Sequence, residues 1–127
     1  AWYIQGNGYA NGGTWVPSDE RLKTNIHNVG TVLDKLMKLQ PVTYEWNDIM
    51  KGRSIGLEGN QVGIIAQKAM KLFPDIIHTI RHPNVGIDKK YHLEDVDYYT
   101  ADYSKLSVYT LAGLQELVSI LSTKGVI

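Results

Sequence analysis

Two side chains near the start of this chain are of types that could do chemistry together: Ser18 and Lys23, in the string Ser18-Asp-Glu-Arg-Leu-Lys23-Thr-Asn25-Ile26. A serine hydroxyl becomes a nucleophile only when a base takes its proton, and a lysine amine serves as that base only when neutral. At an ordinary lysine pKa of about 10.4, roughly one amine in a few thousand is neutral at pH 7. Surroundings that lower it toward about 7 to 8 are therefore a requirement of any Ser-Lys chemistry. In a straight strand, positions i and i+5 face opposite sides, so the two can meet only across a turn. Ser18-Asp19-Glu20 supplies one, a capping residue followed by acids in the first turn. The same spacing is also met by a Ser18 that only caps a turn beside a solvated Lys23. On spacing alone, that plainer arrangement is favoured.

The other polar clusters offer less. His27, His78, His82 and His92 have no metal-ligand spacing, and the absence of cysteine excludes thiolate sites and disulfides; no metal and no cofactor is expected. Glu94, Asp95, Asp97 and Asp102 lack the glycine and ligand rhythm of a calcium loop and read as a solvated hairpin edge. Gln67, four residues after Gly63, reads as a buried glutamine bonded to backbone. Tyr98, Tyr99 and Tyr103 have the size to grip another chain. Thirteen basic residues balance thirteen acidic ones, which argues against nucleic acid and against an anionic membrane surface as partners. The longest apolar stretch, Val62 to Ala66, is far short of the roughly 20 residues that cross a bilayer.

The elements that must position these residues follow from patterning. With 127 residues and 43% hydrophobic content, one core is expected. All the charged residues lie in 18–127; residues 1–17 carry none. That shift marks a boundary. The upstream piece, rich in glycine, asparagine and aromatics, suits the end of a preceding β-rich stalk. It opens at Ala1 without a basic start or a long apolar run, so the chain reads as a piece of a longer polypeptide. Beyond the boundary, apolar spacing predicts a helix over 29–39, a strand over 42–46, a polar loop over 47–60 and a second helix over 62–73. Residues 76–99 read as one long hairpin, plausibly a projecting arm. The last segment, 107–122, carries Leu111, Leu114, Val118 and Leu121 at spacings of three, four and three, an apolar stripe too short for an independent coiled coil. The fold class is α+β: three main helices with short strands, a winged-helix-like globule and a projecting hairpin.

The string SDERLKTNI resembles the opening motif of the intramolecular chaperone auto-processing domain. This is the self-cleaving C-terminal domain of phage tailspikes, tail fibres and endosialidases, and of the neck appendages of small Bacillus phages, which the chain looks most like. The resemblance continues through Pro41-Val-Thr-Tyr44-Glu-Trp46, Val62-Gly63-Ile-Ile-Ala66-Gln67, Phe73-Pro74, Asp102-Tyr103-Ser-Lys-Leu106 and Leu114-Gln-Glu-Leu117, from residue 18 to about 122. It implies that Ser18 attacks the carbonyl of Pro17, that Lys23 is the base and then the proton donor, and that the Pro17–Ser18 bond is cut by way of an ester. It gives Asn25 a role in orienting the site or in capping the strand, and allows Gln67 to support it. It further implies a homotrimer joined through Leu111, Leu114, Val118 and Leu121, with the upstream stalk of the same polypeptide as the other partner. Assembly in the host cytoplasm and a parent protein in the virion follow from the same resemblance. A non-cleaving trimerisation or docking module at the end of a fibre is the alternative. A winged-helix DNA binder fits poorly, because no basic recognition helix is present.

Overall fold

The computed structural model describes residues 8–10, 13–15, 17–51, 58–82 and 96–127. In chain order the elements are β1 (Gly8–Ala10), β2 (Gly13–Trp15), a 3-10 turn (Glu20–Leu22), α1 (Leu33–Lys38), β3 (Val42–Tyr44), α2 (Asp48–Lys51), β4 (Gln61–Gly63), α3 (Ala66–Ala69), a second 3-10 turn (Pro74–Ile76), β5 (Ile77–His82), β6 (Val96–Ala101) and α4 (Tyr103–Thr123). The strands form three separate antiparallel pairs: β1 with β2, β3 with β4, and β5 with β6. The mixed helix and strand class expected from the sequence is borne out.

Several boundaries differ from the patterned expectation, each for a physical reason. The helix expected over 29–39 is confined to 33–38, because Gly30 sits at φ 86, outside helical space. Val32, at the N-cap, has no capping side chain of its own. Instead Glu116 reaches across from α4, and its Oε1 accepts from the N–H groups of Val32 at 2.8 Å and Leu33 at 3.1 Å. Two of the amide groups that every helix start leaves unpaired are thus satisfied from a distant element.

The segment 62–73 does not make one helix. Val62 and Gly63 pair with Thr43 and Val42 in the β3–β4 ladder, and only 66–69 forms the short α3. A five-residue apolar run fits either period, and tertiary contacts decided it. The Ile64 N–H donates to the Tyr103 hydroxyl at 3.2 Å. Gly63 is buried against the same hydroxyl and the Tyr44 ring, leaving no room for a Cβ. Within the loop expected over 47–60, α2 forms one turn.

Residues 77–82 and 96–101 form the expected hairpin in continuous register from Ile77 opposite Ala101 to His82 opposite Val96. The residues between the two strands, His92, Glu94 and Asp95 among them, lie outside the described residues. The hairpin base is clamped where the Asp102 N–H donates to the Ile76 carbonyl at 2.7 Å. The closing helix starts four residues earlier than apolar spacing indicated, at Tyr103, because Asp102 caps it by accepting from the Lys105 N–H.

Val32, Ala69, Phe73 and Ile76 are the buried core, flanked by Leu36, Leu39, Leu106 and Tyr109 among others. It sits where α1, α3 and the second 3-10 turn meet one face of α4. Gly113 of α4 is buried against Val32 and Leu36, and a Cβ there would run into the Leu36 side chain. The Phe73 and Tyr109 rings stack at 4.7 Å, and the Tyr109 hydroxyl donates to Asp75 Oδ2 at 2.6 Å.

Candidate active site

The site begins with a turn that the sequence makes for local reasons. Asp19, rather than Ser18, caps it: Asp19 Oδ1 accepts from the Arg21 N–H at 2.9 Å, and the Arg21 guanidinium closes on the same carboxylate, Nη2 to Oδ2 at 2.7 Å. The guanidinium, and after it the backbone N–H, hold the Asp19 carboxyl below the ordinary carboxylate range. The turn closes through Leu22 N–H to the Asp19 carbonyl and Lys23 N–H to the Glu20 carbonyl. With capping assigned to Asp19, the Ser18 hydroxyl has no such duty.

Lys23 leaves the turn extended, at φ −119 and ψ 148, and its side chain folds back over it. Lys23 Nζ donates to Ser18 Oγ at 2.8 Å. The structure therefore joins, across a turn, two groups that a straight strand would hold apart. Both are exposed in the single chain, as is everything from Pro17 to Thr31. Pro17 stands directly before the hydroxyl. Asn25 follows at φ 53, in the left-handed region that asparagine tolerates better than most residues. It bends the chain away two residues after Lys23.

The remaining sequence-selected residues are not gathered at this turn. Gln67 lies on α3 with its side chain exposed, so it is not the buried glutamine that was expected; α3 is a single turn, and Ala69 is the residue it buries. On α4, Leu111 and Leu114 are more than half exposed, Val118 is 47% exposed and Leu121 is half-buried. Leu111, Leu114 and Val118 lie on the side of α4 away from Gly113, which faces α1. No group of three metal-binding side chains occurs among the described residues, and no described helix is long and apolar enough to cross a membrane. His78 and Asp102 lie 3.9 Å apart at the hairpin base.

Sequence reasoning missed Glu116 and Tyr103 as organisers of the frame. Glu116 carried a faint signal, a carboxylate on the α4 face that otherwise packs inward. Tyr103 was singled out for reach toward another chain; in the structure its hydroxyl serves the Ile64 amide.

The architecture matches a solved structure described as a novel intramolecular chaperon, with a TM-score of 0.58 and 21% identity, over 82% of this chain and all of the other. The two chains share a fold. Residues 18–78, just under half of the chain, match the family named as a peptidase and described as the chaperone of endosialidase. The resemblance carried by SDERLKTNI is borne out. A further relative, Myelin gene regulatory factor-like A of Dictyostelium discoideum, is 31% identical over 88 residues, 65% of this chain and 9% of that protein. The chain spans about a tenth of the length of that curated relative.

Proposed function

We propose that this is the C-terminal chaperone of a longer phage fibre or appendage polypeptide, which gathers three copies, registers their upstream β-stalks and then releases itself by cutting Pro17–Ser18. The observation that carries the reading is the 2.8 Å hydrogen bond from Lys23 Nζ to Ser18 Oγ immediately after Pro17. A neutral Lys23 takes the hydroxyl proton as Oγ adds to the Pro17 carbonyl carbon. The carbon–nitrogen bond then breaks, and Lys23 returns the proton to the departing Ser18 amine. The product is an ester between Pro17 and the Ser18 side chain. Water opens it to a Pro17 carboxylate and a free hydroxyl, leaving Ser18 as a new N-terminus.

The oxyanion formed on the way needs donors. In the turn, the N–H groups of Arg21, Leu22 and Lys23 already serve Asp19 and Glu20, which leaves those of Asp19 and Glu20 for the role. Because the pair is exposed in a single chain, the dry surroundings such chemistry requires come from neighbouring copies. Cutting then waits on assembly. An interwound stalk dominated by contacts between chains folds slowly and slips register easily unless its ends are first held together. Gathering raises the local concentration of the three strands, and removal of the gatherer afterwards makes the folded stalk kinetically stable. In this reading, cleavage occurs in the host cytoplasm during assembly and the stalk enters the virion.

Intact-mass spectrometry on the parent chain tests the reading, with wild type beside Ser18→Ala and Lys23→Ala and the oligomer sized in parallel. The expected outcome is a fragment beginning at Ser18 from wild type alone, with all three proteins trimeric. If no variant is cut, the domain is a non-cleaving trimerisation module.

A further inference from the structure

Two apolar surfaces meet on the solvent side of α4. One is the stripe of Leu111, Leu114 and Val118. The other is an open groove of about 590 Å³ between residues 27–30 and α4, with Val29, Val108, Leu111 and Ala112 among its lining. Leu111 belongs to both. The one carboxylate in the lining, Glu116, accepts from the Val32 and Leu33 amides.

We propose that this groove seats a second copy of this chain, so that residues 18–30 of one subunit and α4 of the next form the flank of the assembly. The proposal rests on the trimer reading above and adds the surface that brings a neighbour to Ser18 and Lys23. Symmetry supports it. A cyclic trimer needs two unlike faces on each subunit, and stripe and groove lie about a quarter turn apart around α4. Area supports it too. On the face formed by residues 18–30 and the groove, Leu22, Ile26, Val29, Val108 and Leu111 are 50% to 73% exposed. Together they present on the order of 400 Å² of apolar surface, close to the apolar share of one partner face of about 800 Å². Position supplies the consequence. The groove wall begins at His27, four residues after Lys23, at most about 13 Å along an extended chain. A copy seated there covers the segment that bears the Ser18–Lys23 pair.

The chain has no cysteine, so Val29→Cys carrying a benzophenone maleimide is a unique photoreactive reporter in the otherwise intact protein. Irradiation is expected to yield a product of twice the chain mass whose linked peptide comes from α4. Products confined to residues 1–16 of the same chain, or a yield no greater than from label at exposed Lys124→Cys, overturn the proposal. Val108→Asp, which charges the groove and spares the stripe, is expected to leave folded protein that cuts Pro17–Ser18 at least tenfold more slowly; trimers of this variant that cut at the wild-type rate overturn it. Sedimentation velocity on unlabelled wild type separates the two levels. A wild-type monomer overturns both readings, whereas a wild-type trimer without the intersubunit product overturns the groove alone.

Discussion

Asn25 shows how one residue in the motif answers to backbone geometry. At φ 53 it occupies a region that costs most L-residues about 1–2 kcal/mol, and its side chain is exposed. Glycine meets that backbone requirement; a β-branched residue does not. Asn25→Gly is therefore expected to keep the proposed Pro17–Ser18 cleavage within about twofold, while Asn25→Val slows it roughly tenfold, the rate equivalent of about 1.4 kcal/mol. Timed intact-mass measurements on the two variants decide this, and equal rates would show that the bend is not needed for cleavage. Asp19 answers to its neighbours in a similar way. Its capping bond and its ion pair with Arg21 take the local capping role, and Ser18 is left to Lys23.

Between elements, the frame depends on side chains that bridge long stretches of sequence. Glu116 ties the start of α1 to α4 across more than eighty residues, which also anchors the exposed segment leading back to the site. Tyr109 ties α4 to the second 3-10 turn through its bond to Asp75, and that bond, with partial burial, raises the Tyr109 phenol above its usual value of 10.0. A raised value means that the neutral form is favoured in the fold. The bond's contribution is complete below pH 10 and is lost as pH rises through the raised value. Tyr109→Phe is expected to lower stability by about 1 kcal/mol at pH 7 and to show less of the wild-type decline above pH 10. Urea midpoints across pH 7 to 11.5 measure both effects; parallel curves for the two proteins would exclude the bond as a stabiliser.

At the scale of the molecule, the small core is the deciding feature. Four apolar residues are buried among those described, against sixteen large apolar residues left exposed, six of them on α4 between Val108 and Ile120. A single copy leaves much of its apolar surface wet, and that surface favours association. If three copies share the α4 stripe, the unfolding temperature rises with protein concentration by mass action. Leu114→Ser with Val118→Ser is expected to abolish that dependence and to shift sedimentation to the monomer. A wild-type transition independent of concentration would rule out α4 as the joint.

Much of the site and the class of fold was legible in the chain itself. The uncharged stretch before Ser18, the Ser18-to-Lys23 spacing, the hairpin over 76–99 and the stripe on the last helix are local or periodic signals, and periodicity survives folding. What only the tertiary structure decided involves partners far apart in sequence. The pairing of Val62 and Gly63 with β3 overrode a helical reading, because a short apolar run satisfies both periods. The cap of α1 came from Glu116, which no spacing rule connects to Val32. Above all, Ser18 and Lys23 share a hydrogen bond because Asp19 captures Arg21 and closes the turn between them; spacing allows that contact, and the folded turn makes it.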